Sequence, residues 1–120
     1  MPIEKLIEIT TFSNKIAVLL NLPILEKKVF RSKGLLVHLL KRKHYKAAKY
    51  LDFLADIIHS PDYTGKNKDS IELVKCFKDN IFVSIKLDIS NDVYYVSTMF
   101  DISSSKLETY YKSKRLSKVD

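Results

Sequence analysis

The chain has 120 residues, 46% hydrophobic and 29% charged, enough for one modest core and too few for two. Two glycines and three prolines exclude collagen-like or linker-rich structure, and the single cysteine, Cys76, excludes an internal disulfide and a cysteine-based zinc site. A net charge of +7 points to a polyanionic partner: nucleic acid, an acidic protein or a membrane surface. The charge is clustered, with nine Lys or Arg and no Asp or Glu from Lys27 to Lys49. The first residues, "MPIEKLIEIT", lack the basic-then-apolar pattern of a signal peptide. No apolar run approaches the roughly 20 residues of a membrane helix, so a soluble cytoplasmic protein is expected, with no membrane partner.

In chain order, "SNKIAVLLNL" predicts a short helix capped by Ser13 or Asn14 and ended before Pro23. "ILEKKVF" fits an edge strand or an extended connector. A helical region starts at Ser32, with Leu36, Leu40, Ala47, Leu51, Leu54 and Ile58 as its buried stripe. A break near Lys43–Tyr45 divides it into two helices of about three turns each. Residues 60–70, "SPDYTGKNKDS", read as a turn-rich loop. The period then falls to 2 in "SIELVKCFK", "IFVSIKLDI" and "VYYVSTMF", joined by "KDN" and "SND" into a three-stranded antiparallel meander. In this alternation Ile81, Val83, Ile85 and Leu87 point inward, Ser84 and Lys86 outward, and Cys76 is an inert buried thiol. "SSSKLETYYKSKRL", residues 103–116, closes the chain as a capped basic helix. The fold class is α+β: N-terminal helices on one face of a small antiparallel meander, the other face partly open, and a closing C-terminal helix.

Two histidines and three cations fall within "HLLKRKH", residues 38–44. On a helix His38 shares a face with Lys41 and Arg42, whereas His44 can join it only if the helix breaks. An unprotonated imidazole can take a proton from a ribose hydroxyl while adjacent cations hold the phosphate. RNA carries its own nucleophile, so the chemistry needs a base, an acid and positive charge. A solvated basic face with a histidine on it is the competing reading. His59, at a helix end, fits a helix-terminus cation. On the meander, adjacent Ser97 and Thr98 face opposite sides, so one can join Lys86 and the other is half-buried; Lys86 as phosphate clamp and Thr98 as orienting hydroxyl is the functional reading, ordinary solvent-facing strand residues the competing one. Glu72 and Lys75 fit either a cross-strand charge pair or site members. "YYKSKRL" interleaves rings and cations, as base stacking with phosphate neutralisation requires, although Tyr110 and Tyr111 could also hold the helix to the sheet. No glycine-rich phosphate loop, paired-carboxylate site or metal-spaced cluster is seen, so P-loop hydrolysis and carboxylate–metal nucleases are disfavoured and no cofactor is implied.

Together "SKGLLVHLLKRKH", "IIHSPDYTGKN", "SIELVKCFKDNIFVSIKLD", "VYYVSTMFDISSSKL" and the closing "SKRL" resemble the phage-associated branch of the Barnase–EndoU–colicin–RelE (BECR) like nuclease superfamily, from about Phe30 to Leu116. The resemblance implies residues 31–120 as a BECR-like nuclease domain, preceded by an N-terminal helical or extended segment, 1–30. It also implies a metal-independent ribonuclease site in a groove between helices and sheet. Catalytic residues would be His38, His44, Lys86 and Thr98. RNA would be held by Lys41, Arg42, Lys43, Lys46, Ser97, Lys106 and Arg115. In the closing motif Lys114 stands where that branch tends to carry glycine, leaving the conformation of the turn open.

The function expected is an RNA endonuclease of toxin or phage-conflict type, acting on tRNA or other translation-linked RNA. An acidic immunity or antitoxin protein is its expected protein partner. The alternatives are a non-catalytic basic RNA-binding module and an interaction protein.

Overall fold

The alternating runs after residue 70 pair as a meander: β4 (Ser70–Cys76), β5 (Asn80–Asp88) and β6 (Val93–Ile102), each antiparallel to the next. In the computed structural model, which describes residues 6–22, 27–89 and 92–119, this meander is the centre of a larger sheet. Upstream lie β1 (Leu6–Thr11), α1 (Asn14–Leu19), β2 (Lys28–Ser32), α2 (Leu35–Lys41) and α3 (Tyr45–Lys49). A single 3₁₀ turn at Leu51–Phe53, α4 (Leu54–His59) and β3 (Tyr63–Asn67) lead into the meander, and α5 (Ser104–Lys112) and β7 (Ser117–Lys118) follow it. The seven strands run in the order β1-β2-β6-β5-β4-β3-β7, with only β2 and β6 parallel, so the protein is α+β with a mixed sheet. The boundary drawn at residues 30 and 31 falls inside β2, which bonds to both β1 and β6.

Several expectations need correction. Residues 60–70 are not a loop: β3 pairs with β4 along Tyr63–Asn67, and Gly65 is a strand residue rather than a turn residue. The carbonyl of Arg115 would lie 2.1 Å from any Cβ at position 65, so glycine here admits the C-terminal turn. "KVF" belongs to β2, an interior strand, not an edge. The helical region is shorter-jointed than two three-turn helices, being divided among α2, α3, the 3₁₀ turn and α4. The closing helix stops at Lys112, and the chain after it returns to the sheet as β7. Pro23, "ILE" before Lys27, and Ser90–Asn91 of the "SND" turn lie outside the described residues.

The buried frame of α2 also differs. Leu35 and Leu39 are buried, while Leu36 and Leu40 are 42% and 45% exposed. Both pairs have the same i,i+4 spacing, so periodicity alone cannot choose between them. The helix start decides: Ser32 Oγ accepts from Gly34 N–H in the entry turn, and the helix begins at Leu35 with Gly34 at its N-cap.

Both faces of the meander are covered in part. On the first face Leu73, Ile81, Val83 and Ile85 meet Leu39, Leu54 and Ile57 from the helices. On the second face Val74 and Phe82 meet Leu107 of α5 and Leu116. Hence Ile81 to Ile85 are buried without interruption, Ser84 included, whereas Leu87, expected inside, lies beyond the helices and is 41% exposed. Each fully buried Leu or Ile contributes about 1.5–3 kcal/mol by leaving water. Cys76, the last residue of β4, is exposed, not buried. Partial burial of its thiol and then Asp62 push its pKa up, against Lys75, which disfavours the thiolate.

Candidate active site

The helix break that a shared histidine site requires is present, and its geometry is specific. The Lys43 N–H donates to the Leu40 carbonyl and the His44 N–H to the Leu39 carbonyl, with Lys43 in the left-handed region at φ 61°. This is a Schellman ending with lysine where glycine is usual. It turns the chain so that His44 begins α3 as its N-cap. The buried frame of α2 does the rest. Were Leu36 the inward residue, His38 would point about 160° away from it. With Leu35 inward, Arg42 and His38 lie within about 20° and 60° of the buried side, at the flank of the helix that meets the sheet.

The flank meets β6 along its second half. β2 pairs with β6 only at Tyr94 and Tyr95, so from Ser97 onward this edge faces α3 instead of a strand. There a pocket of about 210 Å³ is lined by His38, Arg42, His44, Thr98, Met99 and Phe100. The His44 ring sits 6.2 Å from Phe100, centroid to centroid. His38, Arg42 and Thr98 are exposed, and among the described residues their side chains make no hydrogen bond or ion pair with the protein. Among the described residues the lining holds no carboxylate. Two imidazoles, a guanidinium and a hydroxyl therefore converge on one recess with their polar groups available to a ligand.

A bulge aims the strand-borne member. Ser84 pairs with Thr98 and Ile85 with Val96, which leaves Ser97 as the extra residue of β6. Ser97 Oγ donates to the Ser84 carbonyl at 3.0 Å, so this hydroxyl pins the bulge while Thr98 faces the pocket. Lys86 does not line the pocket. It is half-buried on the same sheet face as Thr98, one cross-strand row away and opposite Tyr95.

The remaining sequence candidates scatter. Lys41, at the end of α2, and Lys43, in the turn after it, are exposed and outside the lining. Lys46 lies 4.0 Å from Asp79 beside a separate recess. Lys106 sits 5.5 Å above the Tyr110 ring. His59 is at the end of α4 and shares a short hydrogen bond with Thr10. Lys75 donates to the Ser60 carbonyl, so it does not pair with Glu72.

Arg115 is held elsewhere altogether. Its Nε and Nη2 donate to the two carboxylate oxygens of Glu72 at 2.8 and 2.6 Å, and its guanidinium stacks 4.2 Å from the Tyr110 ring. The Glu72 side chain is only 4% exposed. These hydrogen bonds push the Arg115 pKa up, against the effect of burial. Lys114, at φ 67°, takes the left-handed turn that glycine would take, with its N–H on the Tyr111 carbonyl, and so delivers Arg115 to the sheet. Sequence reasoning missed Met99 and Phe100 as pocket walls and Glu72 as the partner of Arg115. Only the odd carboxylate inside the apolar alternation "SIELV" signalled the latter.

A family model described as phage-Barnase-EndoU-ColicinE5/D-RelE like nuclease 3 matches residues 7–109. The chain belongs to this family. The match takes in β1, α1 and β2 as well as the pocket, and ends inside α5, before Arg115. No curated protein and no solved structure matches. Membership of a nuclease family suggests nuclease activity and a nucleic-acid substrate. Among the described residues no helix is long and apolar enough to cross a membrane.

Proposed function

We propose that this protein is a metal-independent RNA endonuclease whose active site is the pocket between α2, α3 and the free half of β6. The observation that carries the reading is the convergence of His38, Arg42, His44 and Thr98 on one recess without a carboxylate. One imidazole takes the proton of a ribose 2′-hydroxyl, whose oxygen attacks the adjacent phosphorus. The new O2′–P bond gives a phosphorane, and the P–O5′ bond breaks as the second imidazole protonates the leaving oxygen. Arg42 offers two N–H groups to the non-bridging oxygens as their charge grows. Thr98 orients the phosphate, and Lys86, one row along the same face, receives the next one.

Family membership supports the nuclease part of this reading, and the +7 charge supports a polyanionic substrate. Resemblance to toxin and conflict-system nucleases supports tRNA or other translation-linked RNA as the target, with an acidic neutralising protein as partner. The test is incubation of the purified protein with total RNA, and with DNA of matched length, in EDTA. RNA fragments ending in 2′,3′-cyclic phosphate, with DNA intact, are expected. Binding without cleavage would identify an RNA-binding module instead, and cutting that needs a divalent ion would overturn the mechanism.

A further inference from the structure

The face that carries Thr98 continues across the sheet to a second basic surface. One cross-strand row runs Phe100, Phe82, Val74, Tyr63 and Lys118, from the pocket wall on β6 to the edge strand β7. At that far end a broad concavity of about 720 Å³ is lined by Tyr111, Lys112, Lys114, Leu116, Ser117 and Lys118. Three of these six residues are lysines, which suit a helix C-terminus, but the large aromatic ring among them is not what a solvated helix end requires. Tyr111 is 43% exposed and does not serve as a core residue. Tyr63 meets it edge-on at 5.8 Å, which fixes the ring, and Lys118 Nζ lies 5.4 Å from its centroid. Among the described residues no carboxylate lines the concavity. Of the three lysines only Lys112 has an ion-pair partner among the described residues, Glu108 at 3.1 Å on the exposed side of α5. Lys114 occupies a left-handed position where a side chain costs about 1 kcal/mol or more relative to glycine.

A fixed, exposed ring beside two lysines, Lys114 and Lys118, that have no ion-pair partner among the described residues is a composition suited to single-stranded nucleic acid, the ring by stacking on a base and the cations by neutralising phosphates. We propose that the surface around Tyr111 is a second RNA subsite, which holds the substrate strand at a distance from the cleavage pocket; the proposal rests on the cutting reading for the identity of the strand. Four strand spacings of about 4.8 Å separate β6 from β7, so the two sites are roughly 20 Å apart. A dinucleotide cannot reach both. An oligonucleotide can, and the subsite therefore makes the enzyme prefer longer single-stranded substrates.

The experiment measures binding by fluorescence anisotropy to a dye-labelled RNA of about twelve nucleotides, in the full chain carrying His38→Ala to prevent cutting. Adding Tyr111→Ala is expected to weaken binding by about tenfold, as loss of one stacked base does. Tyr111→Phe keeps the ring and should bind normally. The pair Lys114→Gln and Lys118→Gln, on the surface and independent of the ring, should flatten the dependence of log affinity on log salt by about 1.4 for two lost phosphate contacts. Cleavage of a dinucleotide by the otherwise unaltered Tyr111→Ala protein should match that of the unaltered chain. Unchanged affinity for the twelve-nucleotide RNA in both the Tyr111→Ala and the double-lysine proteins overturns the subsite. If RNA is never cut yet binding still depends on Tyr111, the cutting reading falls and the subsite stands.

Discussion

Arg42 and Arg115 are the same residue type on the same molecule, in opposite surroundings. Arg42 is exposed at a helix end, has no acidic neighbour in its pocket and shares the recess with two imidazoles. Arg115 is locked bidentately to a buried carboxylate and stacked on Tyr110. Two of the Arg115 donors are taken by Glu72, and the pair fastens the C-terminal turn to β4. Arg42, whose donors are open, is available to a phosphate. Positive charge near a candidate groove therefore indicates function only when its hydrogen-bonding capacity is free.

Substitutions at the two ends of the sheet face should separate along that line. The largest effect expected is on rate: His44→Ala removes an acid or base worth about 10²–10⁴-fold and should reduce RNA cleavage by that factor with little change in melting temperature. Arg42→Ala should follow the same pattern, with a loss of cleavage and normal folding, read by the same assay and by circular dichroism. Arg115→Ala should do the reverse. It leaves the Glu72 carboxylate buried without a partner and should cost about 3 kcal/mol in urea unfolding. The double replacement Glu72→Leu with Arg115→Met should recover most of that stability, since an apolar pair of similar volume needs no partner. The smallest effect is a gain: Lys43→Gly relieves the left-handed lysine and should stabilise the fold by about 1 kcal/mol while leaving His44 in place. Destabilisation by Lys43→Gly would show that the lysine side chain contributes more than its backbone costs.

Much of the fold was legible in the residues because its signals are local. The meander came from period-2 runs, the helix break was placed near Lys43–Tyr45, where it falls, and the cap expected on the closing helix is Ser103, whose Oγ accepts from the Lys106 N–H. What was illegible depended on distant partners. "DYTGKN" has the composition of a turn, yet β3 forms because β4 offers a paired edge and because only glycine lets the Arg115 carbonyl approach. The choice of Leu35 and Leu39 over Leu36 and Leu40 is invisible to periodicity and is made by the entry turn at Ser32–Gly34. That same choice carries His38 and Arg42 to the sheet. Among the residues that line the pocket, the histidines and Thr98 stood out by type and order, whereas Phe100 joins them only because β2 stops short and frees the edge of β6. Arg115 illustrates the limit most clearly: nothing in "SKRL" names Glu72, 43 residues earlier, as its partner.

The most direct test compares RNA cleavage rates of the unaltered protein and His38→Ala, in EDTA and at equal folded fraction. Cyclic-phosphate products are expected from the first, and a rate at least about 10²-fold lower from the second. Equal rates from the two proteins would place the chemistry outside the recess on the β6 edge and contradict the assignment.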